Sequence, residues 1–135
     1  MQATARQKSS ISGSLMGLRI ILSLHLFGVL IQAAAAGQFL SGAEGPVVFH
    51  EFTAWAILGL SLVQCVLAAL WSRRGGPLWF VIASIFLLVA ETLQTGSGYG
   101  RFLSVHVPLG VILFGGVLWL LVWVFRRPAQ TGIAA

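Results

Sequence analysis

Four long apolar stretches, separated by short polar or glycine-rich segments, organise the chain. They run over about 15–36, 47–70, 77–94 and 102–125, each near the ~20 residues that a helix needs to cross a hydrocarbon core of about 30 Å. The pattern predicts an all-α, integral membrane, up-and-down four-helix bundle, with residues 1–135 as a single transmembrane domain. Gly75, Gly76 and Pro77 read as one turn, and GSGYG (96–100) reads as another. Short turns make successive helices antiparallel, so the second and fourth helices run in the same direction.

Composition agrees: 58% of residues are hydrophobic and 8% charged, against roughly 25% charged in an ordinary soluble domain. The net charge of +5 does not point to nucleic acid, because the basic residues lie in pairs at helix ends and form no patch. Their distribution instead orients the chain. Arg6, Lys8, Arg19, Arg73, Arg74, Arg126 and Arg127 fall on one side of an alternating bundle, and Arg101 falls on the other. By the positive-inside rule both termini face the cytoplasm in a multi-pass protein of the cell inner (plasma) membrane, with the lipid bilayer as its first partner. Glu44, Glu51 and Glu91 belong to the outer half. Trp71, Trp79, Trp119 and Trp123 gather at the expected inner boundary, where an indole suits the interface. The basic N-terminus, apolar run and QAAAAG imitate a secretory signal, but the apolar run is longer than a signal core. Cys65, mid-helix and without a second cysteine, reads as packing.

The two halves of the chain align on their histidines. HEFTAWAILG (50–59) lies over HVPLGVILFG (106–115), with a glycine nine residues after each histidine, and Gln32 corresponds to Gln94. The pattern implies two pseudo-repeated helical hairpins, each supplying one histidine from its second helix. Titratable side chains are costly in hydrocarbon and usually functional there. His50 and His106 lie about four and five residues inside their helices, so helical rise places both roughly 5–7 Å below the outer surface. In an up-and-down bundle those helices are diagonal, about 14 Å apart if neighbours are spaced by about 10 Å. Two imidazoles facing across that gap suit one iron with a nitrogen on each side, the bis-histidine arrangement of a haem. Ala54 and Gly110, four residues on, sit under the two histidines and leave room for a flat porphyrin. Gly59 and Gly115 point the other way and are expected at helix contacts.

Taken alone, either histidine also has an ordinary reading, a helix-start side chain reaching the interface or a neighbouring carbonyl. Zinc fits the pair less well, since it asks for three or four ligands. His25 lies about 16 Å from the outer end of its helix, too deep to share the iron, and reads as a buried neutral imidazole bonded to another helix. Gln32, Gln64 and Gln94 read as interhelical hydrogen bonders. Glu91 is expected to be protonated or paired with Arg101; proton relay is the other option.

These features resemble one half of haem A synthase, a protein similar to two fused four-helix bundles that hold haem between histidines of their second and fourth helices. VLIQAAAAGQFL, FHEFTAWAILGLSLVQ and VHVPLGVILFGG also look like a family of short four-helix bacterial membrane proteins. What the resemblance implies for residues is limited to ligand roles for His50 and His106. Where the synthase's catalytic half has a glutamate three positions before the first histidine and an arginine after it, this chain has Val47 and Glu51. Haem modification is therefore not implied.

The expectation is a b-type cytochrome with one haem b near the outer face, exchanging electrons with a quinone or a membrane redox complex. It is an electron carrier or subunit rather than a stand-alone enzyme. The alternative is a cofactor-free accessory or assembly subunit of a larger membrane complex. The oligomeric state has no signature in the sequence.

Overall fold

A computed structural model describes residues 2–43 and 45–127, with side chains from Gly13 onward. The helices are α1 (Gln2–Leu40), α2 (Pro46–Ser72), α3 (Leu78–Tyr99) and α4 (Leu103–Phe125). Each is long and apolar enough to cross a membrane, over Gly13–Leu40 in the case of α1. Each of α1 and α3 packs against both α2 and α4, so α1 faces α3, and α2 faces α4, across the diagonals of a square up-and-down bundle.

Two helix ends differ from the sequence expectation. QAAAAG continues α1 to Leu40, and GSGYG continues α3 to Tyr99 rather than forming a turn. Glycine in a helix costs about 0.5–1 kcal/mol relative to alanine, which a long helix tolerates. The reversal is delayed to the next residues, where Phe102 N–H bonds Ser97 O and Arg101 N–H bonds Gly98 O. The same paired bonds close α1 (Ala43 to Gln38, Gly42 to Phe39) and α2 (Gly76 to Trp71, Gly75 to Ser72). This is the Schellman closure, whose pivot residue must be left-handed. Gly42 (φ 94°) and Gly75 (φ 97°) meet that need without a side chain, whereas Arg101 (φ 55°) fills it in the third turn.

The interior is built from stripes at three- and four-residue spacing: Leu15, Leu18, Leu22 and His25 on α1; Ile57, Ser61, Gln64, Ala68 and Trp71 on α2; Phe80, Ser84, Leu87, Ala90 and Glu91 on α3; Leu113, Val117, Leu120 and Val124 on α4. Large apolar side chains such as Phe27, Phe52, Phe86 and Ile112 point outward, as a lipid-facing surface requires. Gly59 and Gly115 have open space where a Cβ would be, contrary to the expectation of helix contacts; Gly116 makes the close approach instead, with its Cβ position 2.9 Å from Leu87. The two ends of the bundle have different character. At the end holding the α2–α3 turn, Trp79 packs on Trp123 (ring centroids 4.6 Å) and Trp119 (5.3 Å), and Trp71 packs on Phe80 (5.6 Å) and Trp123 (5.8 Å). There the Arg19 guanidinium donates to the carbonyls of Val124 (3.3 Å) and Arg127 (2.6 Å). It caps the α4 C-terminus, where the helix dipole favours a cation. At the other end the interior holds histidine and glutamine.

Candidate functional site

His50 is the fifth residue of α2 and His106 the fourth of α4, so both sit about 4.5–6 Å from their helix starts by helical rise. They reach toward each other across the bundle diagonal, with ring centroids 6.1 Å apart and planes tilted by 58°. Both rings are half-buried.

Equivalent groups hold the two rings. His50 Nδ1 lies 3.2 Å from Gln32 O, and His106 Nδ1 lies 2.9 Å from Gln94 O. A carbonyl can only accept, so in both rings Nδ1 carries the proton and donates it. In the neutral imidazole Nε2 then keeps its lone pair, the form that binds a metal. Ser97 Oγ donates to Gln94 O (2.8 Å) and lies 3.3 Å from His106 Nδ1, bracing that side further. On the other side the Gln32 amide donates to His50 O at 2.8 Å. Gln32 is thus an interhelical bonder, as its position suggested. The repeat seen in the sequence is matched by a repeated contact, a glutamine carbonyl of the first helix in each hairpin holding the histidine of the second.

The polar atoms here are not all satisfied. Gln32 Oε1 and Gln94 Oε1 are buried with no hydrogen-bond partner, a state that normally costs about 1–3 kcal/mol per group. Ala35 of α1 and Ile57 of α2 are the buried apolar side chains toward this end of their helices, and the apolar core otherwise lies deeper.

No protein-family model, curated protein or solved structure matches the chain. The site therefore stands on its own chemistry. Ala54 is half-buried one turn below His50. Gly110 occupies the same place below His106, but the space in front of it is taken by the Gln94 amide, 3.0 Å from the position of a Cβ. An open apolar cavity of about 420 Å³ lies beside the pair, not between its rings, lined by Ile31, Ala34, Ala35, Gln38, Pro46 and Phe49 of α1 and α2.

Sequence reading missed Gly98. A Cβ there would lie 3.0 Å from His106 Cε1 and 3.2 Å from Nδ1, so only glycine leaves the ring at its normal distance. The signal was present as a small residue four positions after each glutamine, Ala36 and Gly98. His25 is fully buried and bonds Gln64 on α2 at 3.0 Å, so the expected bond to another helix is found. Glu91, however, pairs with His25 Nε2 at 2.7 Å and not with Arg101. The reason is placement: Glu91 points into the bundle core, and Arg101 lies exposed in the α3–α4 turn. Among the described residues no group of three or more His, Cys, Asp or Glu side chains converges as a metal cluster.

Proposed function

We propose that the protein is a small membrane b-type cytochrome that holds one haem b between His50 and His106 and exchanges electrons with a quinone or a partner redox protein. The observation carrying this reading is the pair itself: two imidazoles from diagonal helices, both fixed with Nδ1–H on a carbonyl, 6.1 Å between ring centroids. Metal–imidazole bonds of about 2 Å, with each nitrogen about 1.1 Å from its ring centre, give a centroid separation of about 6.2 Å when one metal lies between. The donor set fits a haem iron, and two ligands alone fall short of a zinc site.

Haem would supply a one-electron iron couple. The chain's own part is to set ligand tautomer and basicity through the Gln32 and Gln94 carbonyls, a role that outer-shell acceptors commonly play for metal-bound histidine. It would also shield the group from water on its deeper side. Accommodating the macrocycle requires the Gln32 and Gln94 side chains to turn away from the axis. Their Oε1 atoms have no partner to lose in doing so, and the bond given up is the one from the Gln32 amide to His50 O. Ala54 and Gly110 contribute by presenting no large side chain behind them. The positive-inside distribution supports a plasma-membrane protein with both termini cytoplasmic and the histidine end outward. Haem modification is left out of this reading, because Val47 and Glu51 stand where haem A synthase, which the chain resembles, has a glutamate and an arginine.

The test is a reduced-minus-oxidised spectrum of the purified full chain. A six-coordinate b-type signal is expected, abolished by His50→Ala and by His106→Ala and nearly unchanged in His25→Ala. No signal after expression with ample haem would favour a cofactor-free accessory subunit. Equal haem retention in all three variants would overturn the ligand assignment.

A further inference from the structure

Below the histidine pair lies a second polar cluster that haem ligation does not use. We propose that His25 and Glu91 form a membrane-buried proton-exchange site, reached from the histidine end of the bundle and sealed toward the tryptophan end.

A chain of hydrogen bonds fixes the pair. Ser84 Oγ donates to Phe80 O (2.9 Å), so it accepts from the Gln64 amide (3.1 Å), which turns Gln64 Oε1 toward His25 Nδ1 (3.0 Å). Nδ1 must therefore donate. The contact of His25 Nε2 with Glu91 Oε1 at 2.7 Å then needs one proton between them. Either the imidazole or the carboxyl carries it, and the pair accepts a second proton by protonating both. Glu91 Oε2 is buried and has no partner. An ionisable pair this deep in hydrocarbon is costly, and such pairs usually mark a proton or ion path.

Polar atoms mark the route. Gln94 lies one turn above Glu91 on α3, and Ser61 lies one turn above Gln64 on α2. Gln94 Oε1, Gln32 Oε1 and Ser61 Oγ are all buried without a protein partner, the setting in which internal water bridges polar groups. The glutamines are only half-buried, so the route opens at the histidine end. In the other direction Leu18, Leu22, Phe80, Val117, Leu120 and Val124 are at most 1% exposed and offer no polar side chain. The other titratable side chain near the pair is Cys65 of α2. The α4 helix brings no titratable side chain between His106 and Arg126. The reaction is a transfer of H⁺ from hydronium at the histidine-end surface to the pair, leaving water, and its reverse. It requires no other reactant.

Infrared spectroscopy of the full chain in lipid nanodiscs tests this directly. A carboxylic-acid C=O band is expected to grow as pH falls, to shift promptly in deuterium oxide, to vanish in Glu91→Gln and to persist in Glu51→Gln. Replacing a polar stepping group by hydrocarbon, in Gln94→Leu or separately in Gln32→Leu, should slow the deuterium shift about tenfold or more. Leu120→Met, on the sealed side, should leave it unchanged. Two variants guard against one failing to fold, with helical circular dichroism and elution position as the check. A band that neither titrates nor exchanges would overturn the site. Exchange slowed by Leu120→Met but by neither glutamine variant would overturn the route. The measurement is made on the haem-free full chain, where both glutamines keep the positions described, so loss of the cytochrome assignment leaves this result interpretable.

Discussion

Gly96 and Gly98 lie two residues apart on α3 and offer a controlled comparison. A Cβ on Gly96 meets nothing within 4 Å, whereas one on Gly98 meets His106 Cε1 at 3.0 Å and Nδ1 at 3.2 Å. Both substitutions to alanine gain about 0.5–1 kcal/mol from reduced backbone freedom. In Gly98→Ala the imidazole must retreat by about 0.5 Å to regain a carbon–carbon separation of about 3.5 Å or more. That motion strains the 2.9 Å bond from His106 Nδ1 to Gln94 O, and a hydrogen bond of this kind is worth about 0.5–1.5 kcal/mol. Gly96→Ala should therefore stabilise the haem-free bundle by about 0.5–1 kcal/mol, while Gly98→Ala stays near the parent because gain and loss are of the same size. Haem affinity separates the two more sharply. Disturbing the group that orients a metal-bound histidine typically weakens metal binding by about 10- to 100-fold, so that loss is expected for Gly98→Ala alone. Denaturant unfolding in detergent and haem titration followed by absorbance supply the two numbers. If Gly98→Ala gains as much stability as Gly96→Ala and binds haem equally well, the ring is not crowded as described and its orientation does not control the ligand.

The small residues under the histidines provide another check. Ala54→Leu and Gly110→Leu should reduce haem content through overpacking of about 1–3 kcal/mol, the second by driving a side chain into the Gln94 amide, whereas exposed Ala56→Leu should leave the spectrum intact. Haem loss confined to Ala56→Leu would place the macrocycle on a different face. For topology, cysteines are better placed at Ser41 and Ser72 than at Gly42 and Gly75, whose positive φ angles disfavour any side chain. In a Cys65→Ser background, an impermeant thiol reagent applied outside intact cells should label Ser41→Cys and spare Ser72→Cys. The reverse pattern would put the histidine end in the cytoplasm.

Much of the architecture was legible because bilayer thickness imposes a helix length and backbone hydrogen bonding leaves a hydrophobic segment little choice but helix. The four spans, their alternation, the diagonal relation of α2 and α4 and the matching depth of His50 and His106 all follow from lengths and periodicity. Helix ends were less legible. GSGYG carries turn composition, yet the Schellman bonds at Ser97 and Gly98 move the reversal one step on and give its left-handed position to Arg101. The side-chain partners of the site belong to the tertiary structure alone. Helical period says which face a residue occupies, but not which atom across the interface completes its hydrogen bonds. Hence the Gln32 and Gln94 carbonyls that fix both histidine tautomers, the crowding of His106 by Gly98 and the filling of the space before Gly110 appear only when α1 and α3 are packed against α2 and α4. Glu91 shows the distinction most clearly. Sequence offered it the nearest charge along the chain, Arg101, while the bundle turns it inward across the diagonal to His25. Ion pairing is decided by distance in space and burial, and neither is a function of separation in sequence.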